Sequence, residues 1–178
     1  MRNKLWHNQG DGTFEDVTAQ AGLDVQLHAT GGGSAHGMAA ADFNSDGAPD
    51  LYLGVWLGDN RLFHNDGQGQ FFDATTSAIA DGGRAFGVAV GDVDNDGDLD
   101  IFQASGANVD NPQQPTRSLM LLNLGDDWLD VTGGVGLNST HGLELHGPGL
   151  ADIDNDGDLD LLVMAPHFLF LNDGQGVF

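Results

Sequence analysis

The 178-residue sequence contains no cysteine, which excludes disulfide bonds and thiol chemistry from its folding and function. It also lacks long hydrophobic runs: no apolar stretch could span a bilayer, and the opening residues have no apolar signal-peptide region. We therefore expect a soluble chain that carries no export signal of its own. Basic residues are scarce, with 5 Lys and Arg against 27 Asp and Glu and a net charge of −22. Such acidity argues against nucleic acids and anionic membranes as partners, because both attract basic surfaces.

The chain is rich instead in glycine and aliphatic residues. Its 28 glycines predict many turns rather than long helices. A hydrophobic content of 40% favours a folded core over an acidic disordered chain. The length suits one ordinary domain with a core of its own.

One acidic pattern occurs three times and holds 13 of the 27 acidic residues. The copies are DFNSDGAPD at 42–50, DVDNDGDLD at 92–100 and DIDNDGDLD at 152–160, called loops 1, 2 and 3 below. Their offsets of 50 and 60 residues are typical of a repeat architecture. The negative charge is therefore concentrated at three points, where carboxylates repel one another unless a cation compensates.

Calcium explains this concentration of oxygen atoms. Ca²⁺ takes six to eight oxygen ligands at roughly 2.3–2.6 Å, and alternate residues of a tight loop can converge on one ion. We expect side-chain ligands at loop positions 1, 3, 5 and 9, a backbone carbonyl ligand at position 7, and glycine at the sharp turn of position 6. The predicted ligands of three Ca²⁺ sites are Asp42, Asn44, Asp46, Ala48 and Asp50 in loop 1; Asp92, Asp94, Asp96, Asp98 and Asp100 in loop 2; and Asp152, Asp154, Asp156, Asp158 and Asp160 in loop 3.

Other interpretations fit the loops less well. A solvated acidic turn does not require glycine and odd-position oxygens to recur in every copy, and Mg²⁺ prefers a small octahedral shell that keeps its waters. An EF-hand needs glutamate at position 12, where this chain has Leu53, Gln103 and Val163. Short apolar runs rich in strand formers follow each loop, so each loop is predicted to join two strands.

A hairpin pattern follows each loop and also opens the chain. It reads as an apolar strand, an Asn-containing turn and an aromatic-bearing strand, at 3–18, 60–75, 117–132 and 167–178. One repeat is then four short antiparallel strands, A to D, with a crowded Gly/Ala-rich strand A and the acidic loop between A and B. This pattern predicts an all-β fold, a β-propeller made of four-stranded antiparallel blades.

These strings resemble FG-GAP/VCBS repeat proteins, whose propeller is also that of integrin α subunits. The joined patterns N-x-L-(W/F)-H-N-x-G-x-G-x-F-x-D-x-T and D-x-(D/N)-x-D-G-x-x-D are most similar to the cartilage-acidic-protein branch, which is associated with ASPIC/UnbV. The resemblance covers nearly the whole chain and implies Ca²⁺ in the A–B loops. The sequence shows no integrin-type helical insertion domain, so integrin ligand chemistry is not transferred.

The whole chain, 1–178, is predicted to be a single propeller segment of about three and a half blades. It comprises a C–D half blade at 3–18, blades at 37–75 and 85–132, and a nearly complete blade at 147–178. Closed propellers have four to eight blades. We therefore expect a fragment of a longer exported protein, or a half ring that two copies complete as a homo-oligomer. A stable open arc would leave sheet edges unprotected.

Alternating strand direction puts the acidic loops on one face and the long connections 19–36, 105–116 and 133–146 on the other, called the loop face below. Long loops on a rigid scaffold often carry recognition. We expect this face to bind an extracellular protein or carbohydrate, as in adhesion, while Ca²⁺ acts structurally. Extracellular modules bind Ca²⁺ at about 10⁻⁴–10⁻³ M, which predicts an extracellular or cell-surface location.

No nucleophile with a base and no open metal site is evident, so the chain is expected not to be an enzyme. The alternatives are the propeller part of a secreted, lyase-type polysaccharide-active enzyme and a purely structural scaffold. Trp56, at a B–C turn, is the best exposed aromatic candidate, whereas Trp6 and Trp128 are expected to pack within strands. Asn138 begins a glycosylation acceptor. We expect the histidines in or beside the long loops to be scattered polar residues; they are His28, His36, His141 and His146.

Overall fold

The computed structural model describes residues 3–27, 33–80, 83–106, 117–137, 144–164 and 167–178. The described residues form strands and no α-helix, which confirms the predicted all-β fold. Asn138, His28, His141 and most of 105–116 lie outside the described residues. The strands are β1 (Trp6–Asn8), β2 (Phe14–Asp16), β3 (Ser34–Ala41), β4 (Asp50–Gly58), β5 (Arg61–Asn65), β6 (Phe71–Asp73), β7 (Gly83–Gly91), β8 (Asp100–Ser105), β9 (Leu119–Asn123), β10 (Trp128–Asp130), β11 (His146–Ala151), β12 (Asp160–Met164) and β13 (Phe168–Phe170).

The strands pair in the predicted A-to-D order. The half blade is the hairpin β1–β2; blade 1 is β3–β4–β5–β6, blade 2 is β7–β8–β9–β10, and blade 3 is β11–β12–β13. All of these pairs are antiparallel, as a partial β-propeller requires. A short bridge between β4 and β7, which pairs Trp56 with Arg84, also joins blades 1 and 2 into one eight-stranded sheet. The sequence did not predict this bridge.

Each complete C–D hairpin is closed by the Asp and Thr of its Asp-x-Thr string. The Asp side chain pairs with the basic residue that begins the hairpin, and the Thr hydroxyl accepts a hydrogen bond from a strand-C backbone N–H. The ion pairs are Lys4–Asp16, Arg61–Asp73 and Arg117–Asp130, and the hydroxyl acceptors are Thr18, Thr75 and Thr132 at 2.9, 3.1 and 2.8 Å. Side chains common to all three repeats therefore hold these short strands together.

The hydrophobic core lies between successive blades. One buried cluster joins the segment after the half blade to blade 1, a second joins blades 1 and 2, and a third joins blades 2 and 3. Tyr52 and Phe102, at one position of strand B, are fully buried in the second and third clusters, whereas the equivalent Leu162 of blade 3 is 39% exposed. The apolar side chains of one blade are thus buried against its neighbour.

Strands A of neighbouring blades approach so closely that glycine is needed on them. A Cβ on Gly37 would lie 2.8 Å from the Cγ2 of Val88, and one on Gly87 would lie 2.5 Å from the Cδ of Pro148. These distances are shorter than van der Waals contact. They explain the small residues of strand A and place this strand on the crowded inner side of the arc.

Candidate metal centre and the opposite face

The three acidic loops adopt one conformation. The position-1 carboxylate accepts hydrogen bonds from the backbone N–H groups of positions 5 and 6, at 2.8–3.0 Å in loop 1, 3.0–3.1 Å in loop 2 and 3.2 Å in loop 3. Glycine at position 6 has a positive φ of 89°, 99° and 102° in turn, as the sharp turn predicted. Position 4 also has positive φ, which the sequence did not predict; its residues are Ser45, Asn95 and Asn155.

Carboxylates at positions 1, 3 and 5 converge in two of the loops. Asp92, Asp94 and Asp96 each offer an oxygen, and these oxygens lie within 4.8 Å of one another. The same holds for positions 1, 3 and 5 of loop 3, which are Asp152, Asp154 and Asp156. Loop 1 has the amide of Asn44 at position 3, which donates to Asp46 at 2.9 Å. Acidic clusters of this geometry can hold a metal ion.

The position-9 aspartates have a second role that the sequence did not predict. Asp50, Asp100 and Asp160 are fully buried and lie outside the convergent groups. One oxygen accepts from the backbone N–H of loop position 2 at 2.8–3.0 Å. The other accepts at 2.8–2.9 Å from the backbone N–H of an asparagine at the end of strand C, which is Asn65, Asn123 or, two residues beyond β13, Asn172. Each oxygen keeps a second lone pair. Position 9 therefore ties its loop to strand C and still has electron pairs for a cation.

Asp98 and Asp158 at position 7 do not join the convergent groups either. Asp158 accepts a hydrogen bond from Asn95 of loop 2 at 2.9 Å instead. The predicted position-7 ligand is a backbone carbonyl, which suits the variation of this side chain, including the buried Ala48 of loop 1. That ligand stays a prediction.

The electrostatics of loop 2 oppose ionisation. Burial and the neighbouring charges of Asp96 and Asp92 raise the pKa of Asp94. Burial also raises the pKa of Asp100 to about 7, although the backbone N–H groups of Val93 and Asn123 act against it. One oxygen of Asp94, Oδ1, is buried and has no hydrogen-bond partner. A cation at this point would relieve both the repulsion and the missing contact.

Loop 3 balances the same forces differently. Burial, Asp156 and Asp160 raise the pKa of Asp154. Hydrogen bonds from the backbone N–H groups of Asn172 and Ile153 lower the pKa of Asp160. Asp100 lies between two blades, whereas no further described blade packs outside Asp160. Loss of contact with water therefore raises the pKa of Asp160 less than that of Asp100.

Sequence reasoning missed the role of the asparagine at or just after the end of strand C. Asn65, Asn123 and Asn172 each donate a backbone N–H to the position-9 carboxylate and a side-chain N–H to the position-8 carbonyl of the same loop, at 3.0, 3.3 and 3.1 Å. The available signal was that asparagine holds this place in all four hairpins, with Asn8 in the first. A hairpin turn alone would accept aspartate or glycine equally well.

The loop face carries a cluster of rings. His36, Phe86 and His146 begin three successive A strands near the same register, with centroids 6.2 Å apart for the first pair and 4.3 Å for the second. Trp56 stacks on His36 at 5.3 Å and contacts Phe86 at 4.8 Å, and the guanidinium of Arg84 lies 4.6 Å from the Trp56 ring. The expectation that these two histidines are scattered loop residues was therefore wrong, because adjacent A strands bring them together.

The three tryptophans differ in exposure. Trp56 is half-buried in the ring cluster. Trp128 is buried and packs edge-on against Phe43 at 5.7 Å, as expected. Trp6 is 56% exposed, so the prediction that it packs was wrong: its equivalent Phe63 is buried in a cluster, while no described blade covers Trp6.

Among the described residues, no helix has the length and apolarity needed to cross a bilayer. The expectation that the chain is not an enzyme stays a prediction, as do its partners.

Comparison with known proteins agrees with this architecture. The FG-GAP-like repeat family matches residues 1–53 and 54–102. The chain is 34% identical to cartilage acidic protein 1 from Homo sapiens and 33% identical to that from Mus musculus, in each case over 168 residues that make up 90% of this chain and 24% of the relative. Cartilage acidic protein 1 from Xenopus tropicalis is 38% identical over 104 residues, which are 56% of this chain and 15% of that protein. The chain thus spans about a quarter of the length of the human and mouse relatives. Since the family match extends over more than half of its residues, and its strands pair as repeated four-stranded units, the chain belongs to the FG-GAP-like repeat family.

Proposed function

We propose that this chain is a calcium-binding β-propeller module that acts outside the cell. It holds one Ca²⁺ in each of loops 1, 2 and 3 and recognises a protein or glycan partner through the loop face. The observation that carries the proposal is the convergence of three carboxylates within 4.8 Å in loops 2 and 3, on a backbone that loop 1 shares.

The donor chemistry of the loops fits a hard cation. Their side-chain donors are oxygens, and none of the three loops contains histidine, which would suit a transition metal. The buried, unpartnered Oδ1 of Asp94 is a ligand atom without another role. Replacement of a carboxylate by the amide of Asn44 favours Ca²⁺ over Mg²⁺, because Ca²⁺ accepts a flexible oxygen shell.

Calcium would act on the structure of each blade. An acidic loop joins strands A and B, and its position-9 aspartate holds the end of strand C. A cation bound to the loop therefore fixes three strands together and offsets the repulsion among the carboxylates. Extracellular modules use sites with dissociation constants of about 10⁻⁴–10⁻³ M, which only an outside compartment fills.

The ring cluster supports recognition at the loop face. Trp56, Phe86 and His146 are partly exposed and His36 is exposed, so the rings offer a surface for a sugar or for an aromatic or proline side chain. Arg84 adds a cation beneath this surface in a strongly acidic chain. A rigid sheet positions all of these side chains, which suits a binding site.

Calcium titration with thermal unfolding tests the first half of the proposal. Because Ca²⁺ binds the folded chain preferentially, the melting temperature should rise steadily with its concentration. Each site should add about 2.7 kcal/mol at a hundredfold excess over its dissociation constant. Mg²⁺ at equal concentration should do much less. An unchanged melting temperature from micromolar to millimolar Ca²⁺ would remove the proposal.

Binding to glycan and matrix-protein arrays tests the second half. The calcium-loaded chain should be retained on specific features of the array, and Trp56→Ala should abolish retention while the response to Ca²⁺ stays intact. Trp6→Ala is the matched control, because Trp6 is exposed on a different hairpin. Equal loss in both variants, or retention by Trp56→Ala, would contradict recognition at the ring cluster.

A further inference from the structure

The strand-C asparagines of blades 2 and 3 reach across to the preceding blade. The side-chain N–H of Asn123 donates to the carbonyl of Phe43 at 2.7 Å, and that of Asn172 donates to the carbonyl of Val93 at 2.7 Å. Phe43 and Val93 hold position 2 of loops 1 and 2. Asn65, in blade 1, bonds Pro49 of its own blade and makes no hydrogen bond to another blade among the described residues.

The same asparagines are fixed to the loop of their own blade. Asp100 accepts the backbone N–H of Asn123, and Asp160 accepts that of Asn172. Asn123 is 1% exposed and Asn172 is 5% exposed, so water competes little for these bonds. A continuous path thus runs from a predicted ligand of one loop, through a buried asparagine, to the backbone of the preceding loop.

Loops 2 and 3 share a second, direct contact. Asn95 at position 4 of loop 2 donates to Asp158 of loop 3 at 2.9 Å and to the carbonyl of Gly174 at 3.4 Å. Loop 1 has Ser45 at position 4, with nearly the same positive φ as Asn95. The shorter serine side chain keeps the loop backbone but makes no described bond to loop 2.

We propose that Asn123 and Asn172 are positioning residues that couple cation binding in neighbouring loops, with stronger coupling between loops 2 and 3 than between loops 1 and 2. This inference rests on the proposed calcium sites. The coupling requires each loop to exchange between an arrangement closed around a cation and one that carboxylate repulsion opens. When one loop closes, its position-9 aspartate is fixed in place and orients the asparagine that donates to it. That asparagine then holds the position-2 carbonyl of the preceding loop, between the ligands at positions 1 and 3. Such coupling is reciprocal between the two sites.

A double-mutant cycle with terbium tests the coupling between loops 1 and 2. Trp128 contacts the ring of Phe43 in loop 1, and its own hairpin also lies beside Asp98 of loop 2, so tryptophan can excite terbium in either loop. The part of the emission that Asp46→Ala abolishes, by removal of a loop 1 ligand, is assigned to loop 1 and is followed in the cycle. Asp96→Ala removes a ligand of loop 2 only. It should weaken terbium binding at loop 1 by about two- to tenfold, the range one net hydrogen bond supplies, and should have no further effect when Asn123→Ala is also present.

The outcomes separate the two proposals. An Asp96→Ala effect that is absent, or is equal with and without Asn123, overturns the coupling while the calcium sites stand. Wild-type protein that binds neither terbium nor calcium overturns both.

A second pair of variants keeps the test decisive if Asn123→Ala does not fold. Asn95→Ser places in loop 2 the residue that loop 1 already tolerates at the same φ. It should lower the cooperativity of calcium binding measured by calorimetry. Asn155→Ser, at the same position of loop 3, makes the matched change where no hydrogen bond to another loop is described, and should leave cooperativity as in the wild type. Equal behaviour of the two variants overturns the direct contact as a source of coupling.

Discussion

Replacing Asp94 by asparagine should have opposite effects with and without calcium. Asp94 lies at position 3 of loop 2, between Asp92 and Asp96. Loop 1 has Asn44 at the same position, on a backbone with the same hydrogen bonds, so Asp94→Asn should leave the loop fold intact. The variant removes one charge from a repelling cluster and replaces a charged ligand with a neutral one.

The size of the effect follows from the separation of the oxygens. The oxygens lie within 4.8 Å of one another, and two unit charges at that upper limit repel by about 1 kcal/mol in water and by roughly 3.5 kcal/mol at an effective dielectric constant of about 20. Asp94 faces two such neighbours, so Asp94→Asn should raise the free energy of unfolding by about 2 kcal/mol in the absence of calcium. The gain on adding calcium should shrink, because an amide oxygen attracts the ion less than a carboxylate does.

Urea unfolding in EDTA and in millimolar calcium, slightly above neutral pH, measures both effects. Asp126→Asn is the control for net charge, because Asp126 is exposed on a hairpin turn and should change neither value much. A variant less stable than the wild type in EDTA, or one with an undiminished calcium response, would refute the view that loop 2 is a strained cation site.

Three further changes have distinct expected results. Asp100→Ala should lower the free energy of unfolding by about 2 kcal/mol or more even without calcium, because two buried N–H groups lose their acceptor. Denaturant melts in EDTA would show this, and an unchanged free energy of unfolding would contradict the second role of position 9. The pKa of Asp130 is lowered overall, because hydrogen bonds from Arg117 and Thr132 outweigh burial. The ionised Asp130 therefore stabilises the folded chain by about 1 kcal/mol or less at pH values above its unfolded pKa, which is near 4. This stabilisation is lost as the pH falls through the lower folded pKa. The difference in free energy of unfolding between Asp130→Asn and the wild type should therefore disappear in acid. Gly97→Ala should cost about 1 kcal/mol or more through backbone strain alone, since φ is 99° and a Cβ there meets no atom within 4 Å; a melting temperature equal to the wild type would contradict this.

The fold was predictable because its information is local and repeated. Alternating apolar strands, Asn-containing turns and the acidic loops recur at fixed spacing, and each copy specifies the same four-stranded unit. The short bridge between β4 and β7 was not predictable, because it depends on how two neighbouring blades approach at the loop face. Trp6 was misjudged for a related reason: burial of its position depends on a neighbouring part of the chain, since the equivalent Phe63 packs in a cluster with residues that follow the preceding hairpin, such as Ala21 and Leu23.

The loops were predictable in their first half and less so in their second. Positions 1, 3, 5 and 6 act within nine residues, so spacing alone places the carboxylates and the turn. Position 9 makes its contacts with strand C, more than ten residues further along, and Asn123 and Asn172 make theirs about 80 residues back along the chain. The only sign of such long-range hydrogen bonds in the sequence is that the same residue type recurs at one position of each repeat. His36 and His146 belong to the same class, because adjacent A strands, rather than sequence neighbours, bring their rings together.

The most direct measurement is anomalous X-ray diffraction from crystals grown in millimolar calcium. Three calcium peaks are expected, one in each acidic loop, about 2.3–2.6 Å from the oxygens of positions 1, 3, 5 and 9 and from the position-7 carbonyl. Well-ordered loops without such peaks, or with water at the point where Asp92, Asp94 and Asp96 converge, would contradict the calcium sites.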